Sequence, residues 1–211
     1  MILIADGGST KTEWCLVDDG QIIEQILTEG TNPFFQTIED ISSMVEKHIA
    51  PILNDKAVEA VYFYGAGCAF PDKNELVRSG IARHIKAPIH VNSDLLGAAR
   101  ALCGTSSGIA CILGTGSNSC YYNGNAIIEN VSPLGFILGD EGSGAVIGKL
   151  FVNTCLKNQL TKGVKERFLQ ETNLEPGTIV DKVYRQPFPN RFLASLSPFI
   201  IKNLDDPTIY Q

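Results

Sequence analysis

A turn rich in small and polar residues follows the first apolar run of the chain, in Asp6-Gly7-Gly8-Ser9-Thr10-Lys11-Thr12. Two adjacent glycines let the backbone approach a ligand closely, and backbone N–H groups and hydroxyls can then face a phosphate. Asp6, at the end of the preceding predicted strand, is well placed to hold Mg²⁺, usually through water. A plain β-hairpin turn is the alternative, because Gly-Gly also favours that conformation.

A second turn of the same character, Leu113-Gly114-Thr115-Gly116-Ser117-Asn118-Ser119, occupies the equivalent place in a second run of strand, turn and strand. A simple hairpin needs only two turn residues, so two longer turns at equivalent positions favour a shared ligand. Facing each other across a cleft, they would hold the β- and γ-phosphates of a nucleotide from both sides. A third turn, residues 139–144, opens a predicted helix, where it could accept an anion or, more commonly, only cap the helix.

Asp94 is the best candidate for a general base. It follows a predicted strand and starts a predicted helix in Asn92-Ser93-Asp94. In that position its carboxylate could face a cleft and accept the proton of a substrate hydroxyl. A helix N-cap is the competing interpretation, and the position suits it equally.

Three other kinds of site lack the residues they need. A P-loop is excluded around Gly148-Lys149, because Ser143 stands where its first glycine should be and Leu150 follows the lysine. A dinucleotide fingerprint is excluded at residues 114–119, which end in serine and precede a strand instead of a helix. A serine nucleophile is unsupported, because neither candidate loop serine has a partnered histidine.

Composition places the chain among ordinary globular proteins. It has 211 residues, 44% hydrophobic and 19% charged, with a formal net charge of -6. The acidic balance argues against nucleic-acid binding, and no apolar run has the length of a membrane span. The first residues resemble no signal peptide, so a cytoplasmic protein is expected. The six cysteines lack zinc spacing and are expected to be buried, reduced thiols.

Hydrophobic periodicity predicts alternating strands and helices that would position these turns. The chain shows the order strand, turn, strand, hairpin, strand twice, starting near Ile2 and near Ile109. Pro51 is expected to kink or end the first helix, and Gly104 to cap the helix that begins at Asp94. The predicted strands cover 2–5, 13–18, 21–28, 59–65, 88–92, 108–113, 118–122 and 125–131, and the predicted helices 37–54, 73–86, 94–104, 143–158 and most of 163–206.

The motifs DGGSTKT, NSDLLGAARA, LGTGSNS and GDEGSG, in this order, resemble the N-acetylglucosamine kinase branch of the BadF/BadG/BcrA/BcrD-type ATPases. This family belongs to the sugar kinase/actin/Hsp70 superfamily. The resemblance implies an α/β fold: an actin-like ATPase (ribonuclease H-like) domain with a mixed sheet, then the start of a second, partly helical domain. The expected domains are 1–105 and 106–211, the latter incomplete because no Gly-Gly adenosine loop follows residue 150.

The resemblance also implies roles for individual residues. Asp94 would be the catalytic base, and Asp6 would hold Mg²⁺. ATP would contact Asp6, Gly7, Gly8, Ser9, Thr10, Lys11, Gly114, Thr115 and Gly116. The sugar would contact Asn32, Asp94, Ser117, Asn118, Gly135 and Asp140.

One departure from the family pattern concerns the sugar. Mammalian relatives carry a Trp and a His beside it, where this chain has Leu134 and Phe136. The expected activity is ATP-dependent phosphorylation of N-acetylglucosamine, glucosamine or a related hexose. The partners are then a small sugar and, as a further expectation, a second copy in a homodimer, with neither nucleic acid nor membrane. The alternatives are an activator ATPase of a 2-hydroxyacyl-CoA dehydratase system, with a [4Fe–4S] cluster, and a sugar or nucleotide sensor without catalysis.

Overall fold

A five-stranded mixed sheet organises the first part of the protein. The computed structural model describes residues 1–53 and 56–210. The order of the strands is β3-β2-β1-β4-β5, in which β1, β2 and β3 are antiparallel and β1, β4 and β5 are parallel. This confirms the predicted α/β class and the mixed sheet. The strands are β1 (Ile2–Gly7), β2 (Lys11–Asp18), β3 (Gln21–Glu29), β4 (Ala60–Gly65) and β5 (Ile89–Ser93).

One face of this sheet forms a closed hydrophobic core. Alternate residues of the three central strands are fully buried there, as a two-residue period requires: Leu3, Ala5, Trp14, Leu16, Val61 and Phe63. The ring of Phe63 lies under the ends of two strands. A Cβ added to Gly7 would stand 2.6 Å from its Cζ atom, and a Cβ on Gly65 would also collide with the ring. Both strand ends therefore need glycine above this ring.

The described residues of this part also form the helices α1 (Ile38–His48), α2 (Ala50–Leu53), α3 (Pro71–Ala82) and α4 (Asp94–Cys103). Ile41, Val45, Val77 and Ile81 of α1 and α3 pack into the same core. The predicted single helix 37–54 is interrupted at Ile49, close to Pro51, as that proline led us to expect. Its predicted last residue lies outside the described residues. The helix predicted from 73 begins earlier, with proline in its first turn.

The second part combines a small sheet with helices. Its three strands have the order β6 (Gly108–Leu113), β7 (Ser117–Tyr122) and β8 (Ile127–Val131). The core of the helices contains three aromatic rings, Phe151, Phe168 and Phe199, with centroids 4.8 to 5.7 Å apart. The helices are α5 (Gly135–Leu138), α6 (Gly144–Leu156), α7 (Val164–Thr172), α8 (Pro176–Tyr184), α9 (Pro189–Ala194), α10 (Ser197–Lys202) and α11 (Pro207–Tyr210).

The chain divides into two compact units. The first contains Met1–Ala110 and Cys120–Glu129, and the second contains Cys111–Ser119 and the chain from Asn130 on. The domain boundary expected between residues 105 and 106 stays a prediction. No helix in residues 1–53 and 56–210 has both the length and the apolar character needed to cross a membrane.

The cysteines follow the sequence expectation only in part. All six are free thiols, as expected. Cys68, Cys120 and Cys155 are buried and Cys15 and Cys103 are half-buried, but Cys111 is exposed, so its expected burial is wrong. The reason is that Cys111 lies on β6 between Ile109 and Leu113, which are themselves 74% and 73% exposed.

Candidate functional site

In the first unit, Asp6 lies where three strands run side by side. It pairs in register with Glu13 of β2 and Tyr64 of β4. Alternation along β1 turns it away from the core face that holds Leu3 and Ala5. Its side chain is exposed to solvent. Partial burial, and then the charge of Glu13, raise the pKa of Asp6, whereas Lys11 lowers it. The position therefore carries negative charge that a cation could compensate.

Asp94 is the first residue of α4, directly after β5. Capping is done by its neighbour Ser93, whose Oγ accepts from the Leu96 amide at 3.3 Å. The Asp94 carboxylate accepts from the Leu95 amide at 2.8 Å, so Asp94 is not the N-cap. Its side chain is half-buried. Burial, and to a lesser extent the charge of Asp6, raise the pKa of Asp94, and the Leu95 amide opposes them. The structure thus brings Asp6 and Asp94 close enough for their charges to interact.

Asn32 is joined directly to the first glycine-rich turn. Its Nδ2 donates to Ser9 Oγ at 3.0 Å, and its Oδ1 accepts from the Phe34 amide at 3.0 Å. The side chain is only 8% exposed. The predicted sugar-binding asparagine and a predicted phosphate-loop serine are therefore direct neighbours, although 23 residues separate them in sequence.

Thr12, the last residue of the predicted turn, and Thr31, which had no predicted role, reinforce this contact. Thr12 Oγ1 donates to Thr31 Oγ1 at 3.1 Å and accepts from the Thr31 amide at 3.0 Å. Thr12 is fully buried and Thr31 is 1% exposed. The available signal was position: each threonine adjoins a residue already selected, and a buried hydroxyl requires a partner.

Cys68 was also passed over as a neighbour of the candidate base. It lies in the turn after β4 and is 1% exposed. Burial, together with the charge of Asp94, raises the pKa of its thiol to about 12. A thiol with this pKa is protonated and unreactive at neutral pH, so Cys68 contributes an uncharged side chain near Asp94.

In the second unit, the turn at residues 113–119 is held by the start of α6. The Gly144 amide donates to Gly114 O at 2.8 Å, and the Ala145 amide donates to Thr115 O at 3.2 Å. Ser143 is fully buried and caps the helix, accepting from the Val146 amide. These N-terminal amides are thus engaged by the protein. The third turn therefore caps the helix, which was the commoner of its two expected roles, and it also supports the second turn.

The predicted sugar ligands of this unit lie beside the same turn. The Ser117 amide donates to the Asp140 carboxylate, and burial, which outweighs this bond, raises the pKa of Asp140. A Cβ on Gly116 would stand 2.9 Å from Asp140 Oδ2. Ser117 Oγ donates to the Glu141 carbonyl at 2.9 Å, and Asn118 Oδ1 accepts from Asn130 Nδ2 at 2.8 Å.

A cleft of about 280 Å³ opens beside these residues, lined by Ser117, Asn118 and Glu141 among others. The lining does not include Gly135, which starts α5 with a φ of 75°. Phe136 packs against the hydrophobic core of this unit, whereas Leu134 is 63% exposed. Leu134 therefore presents most of its side chain to solvent, whereas Phe136 is half-buried.

A larger cavity, of about 570 Å³, lies elsewhere in the first unit. Lys56, His84 and Lys86 line it, beside the residues that precede β4 and β5. It contains none of the predicted site residues. Asp6 and Asp94 instead lie at or just after the carboxyl ends of parallel strands, where open α/β sheets bind their ligands.

The fit of a magnesium ion depends on the donors that the chain offers. No group of three or more His, Cys, Asp or Glu residues suited to a metal occurs in the part of the chain that the structure describes. Mg²⁺ commonly uses one or two carboxylates, with water and substrate phosphates completing its shell. Asp6 meets that requirement as a solvent-exposed carboxylate near the end of β1, in register with Glu13 of β2.

Comparisons with known proteins show which proteins this chain is similar to. A search of curated proteins gave no match. A crystal structure from Porphyromonas gingivalis, named "Putative N-acetylglucosamine Kinase", is 52% identical, with a TM-score of 0.95 over 100% of this chain and 75% of the other. A protein of the same name from Chromobacterium violaceum is 19% identical, with a TM-score of 0.74 over 99% and 77%.

A ROK family glucokinase from Streptomyces griseus, in complex with glucose and AMPPNP, is 21% identical, with a TM-score of 0.58 over 92% of this chain and 73% of the other. The likeness to these more distant structures confirms the predicted actin-like ATPase fold. The family model of the BadF/BadG/BcrA/BcrD ATPases matches residues 5–176. With most of its length matched by that model, this chain belongs to the BadF/BadG/BcrA/BcrD ATPase family.

Proposed function

We propose that this protein transfers the γ-phosphoryl group of ATP, as its Mg²⁺ complex, to a hydroxyl of N-acetylglucosamine, glucosamine or a related hexose. One observation carries the proposal. A half-buried aspartate, relieved of helix capping by Ser93, lies within electrostatic reach of Asp6 beside a glycine-rich turn. A carboxylate near a phosphate-binding loop is what a kinase needs to accept the proton of a hydroxyl.

Each group has a distinct task in this mechanism. ATP with Mg²⁺ supplies the phosphoryl group and neutralises part of its charge. Asp94 would orient the sugar hydroxyl and accept its proton, and Asp6 would hold the metal. The backbone and hydroxyls of residues 7–11, and those of residues 114–116, would contact the phosphates. Such a site contributes positioning and electrostatics more than covalent chemistry.

The proposed sugar ligands, taken from the family resemblance, are Asn32, Ser117, Asn118 and Asp140. Gly135 remains a proposed contact, through its backbone. Support for the sugar class comes from the name of the Porphyromonas gingivalis protein, at 52% identity. We extend the proposal to a cytoplasmic location, where ATP is abundant, and to a homodimer.

The test is a coupled assay of ADP release over hexoses, amino sugars and N-acetylated amino sugars. We expect one of these classes to stimulate ADP release well above the sugar-free rate, with the phosphosugar identified by mass spectrometry. Binding of a sugar without turnover would favour a sensor instead. ATP hydrolysis that no sugar stimulates would contradict the kinase assignment.

A further inference from the structure

Four hydrogen bonds join the segment Gly30–Asn32 to the first glycine-rich turn. The Gly30 amide donates to Thr10 O at 3.1 Å. The Thr31 amide and hydroxyl pair with the hydroxyl of Thr12, and Asn32 Nδ2 donates to Ser9 Oγ. We call this set, between residues 9–12 and 30–32, the loop junction.

Three side chains of the loop junction are buried, and its backbone is closely packed. Thr12, Thr31 and Asn32 are 0%, 1% and 8% exposed. A Cβ added to Gly30 would stand 2.7 Å from Gly8 O and would also collide with the Ser9 carbonyl. Because buried hydrogen-bonding groups are costly to leave unpaired, neither segment can move alone without breaking several of these bonds.

We propose that the loop junction couples the two substrates, with Thr12 and Thr31 acting as positioning residues that transmit phosphate binding at residues 7–11 to the sugar ligand Asn32. This inference rests on the proposed function, because it takes residues 7–11 as the phosphate loop and Asn32 as a sugar ligand. Ser9 and Asn32 would contact different substrates, yet they share one hydrogen bond. Ordering of Ser9 by a phosphate therefore orders Asn32, and each substrate should bind more tightly in the presence of the other.

The first arm of the test needs only nucleotide and the whole protein. Hydrogen exchange is followed by mass spectrometry with and without AMPPNP and Mg²⁺. In the parent protein, the nucleotide should slow exchange both in residues 6–12 and in residues 30–36. In Thr31→Val, which keeps the shape but loses the hydroxyl, protection of 6–12 should remain while protection of 30–36 is lost. Thr31→Ser should restore it.

The second arm measures sugar affinity by calorimetry with and without AMPPNP. The parent should bind its sugar about fivefold or more tightly when nucleotide is present, and Thr31→Val should reduce that ratio towards one. Ser42→Ala is the matched control, because Ser42 is a buried hydroxyl bonded to His84 instead of to either loop. It should leave the ratio unchanged.

Three outcomes would overturn the inference. Thr31→Val could retain the parent's protection of 30–36 and its affinity ratio, or Ser42→Ala could lower that ratio as much as Thr31→Val. The parent could also protect 6–12 but not 30–36. If the proposed function itself is wrong, the nucleotide should slow exchange in neither residues 6–12 nor residues 30–36, and this result is distinct from the three above.

Discussion

At the scale of single residues, the site depends on a carboxylate kept partly out of water. Burial raises the pKa of Asp94, and the charge of Asp6 adds to the shift. The ionised form that can accept a proton is therefore destabilised in the free protein. A bound cation near Asp6 would reduce that cost, because opposite charge favours the ionised form. Asp94 and Asp6 are thus expected to work as a pair.

Replacement of Asp94 by Asn should separate activity from stability. Asn keeps an oxygen that can accept from the Leu95 amide, but it cannot take up a proton from a hydroxyl. We expect turnover to fall roughly a hundredfold or more. The melting temperature should be unchanged or higher, because a partly buried charge is removed. Asp72→Asn, an exposed aspartate in the first turn of α3, is the matched control. Near-normal turnover in Asp94→Asn would reject the assignment of the base.

The pH dependence of the reaction should report the same group. Since the pKa of Asp94 is raised in the folded protein, kcat/KM for the sugar should fall with acidification at a higher pH than an ordinary aspartate would give. The stability effect has the opposite sign: this group's contribution to stability is lost as pH rises through its folded pKa. Parallel pH profiles of initial rate and of thermal unfolding test both signs, and an acidic limb at or below an ordinary aspartate's pKa would contradict the first.

At the scale of elements, helix starts hold the site in place. Ser93 caps α4 beside the candidate base, and Ser143 caps α6 beside the second turn. In both places the capping serine frees a neighbouring aspartate or glycine for another task. The N-termini of these helices thus serve as supports for the loops.

Two cap substitutions of similar cost should differ in their effect on activity. Ser93→Ala and Thr37→Ala each remove a side-chain cap, on α4 and α1, and each should cost about 1 kcal/mol of unfolding free energy. Only Ser93→Ala should also reduce turnover, by roughly tenfold, because loss of this cap shifts the backbone that positions the neighbouring Asp94. Denaturant unfolding and initial rates measure the two effects. Equal turnover in the two variants would show that the α4 cap does not position the base.

Sequence patterns predicted the strands better than the junctions between elements. Alternating burial in β1, β2 and β4 is a local signal, and it is visible in the sequence. The short helix α5 was missed, because its four residues are too few for a periodic signal and it follows Leu134, at a φ of 54°. The bond between Thr12 and Thr31 was missed for another reason: it spans 19 residues, and only tertiary packing decides such pairs.

At the scale of the whole molecule, the sequence left two kinds of chemistry as alternatives, phosphoryl transfer to sugars and ATP-driven electron transfer. The second requires cysteines grouped to hold an iron–sulfur cluster. A cluster held between two subunits would need exposed cysteines in each, and of the six cysteines here only Cys111 is exposed. The exposed Cys111 is accompanied by apolar neighbours.

We therefore expect protein purified without oxygen to be colourless and to contain far less than one iron per chain. Absorbance near 400 nm and iron analysis by mass spectrometry provide the measurement. A brown protein with about two irons or more per chain would contradict the sugar-kinase proposal. Reconstitution with iron and sulfide, followed by the same analysis, serves as the control for cluster loss.

The Phe63 ring beneath Gly7 and Gly65 has a consequence for how this sequence can evolve. One large side chain forbids a methyl group at two places on neighbouring strands. The three positions should therefore covary among relatives: alanine at either glycine position should accompany a smaller residue in place of the phenylalanine. A relative that keeps the phenylalanine should also keep both glycines. One of them, Gly7, lies in the first glycine-rich turn, so the ring also preserves the absence of a side chain at that point of the turn.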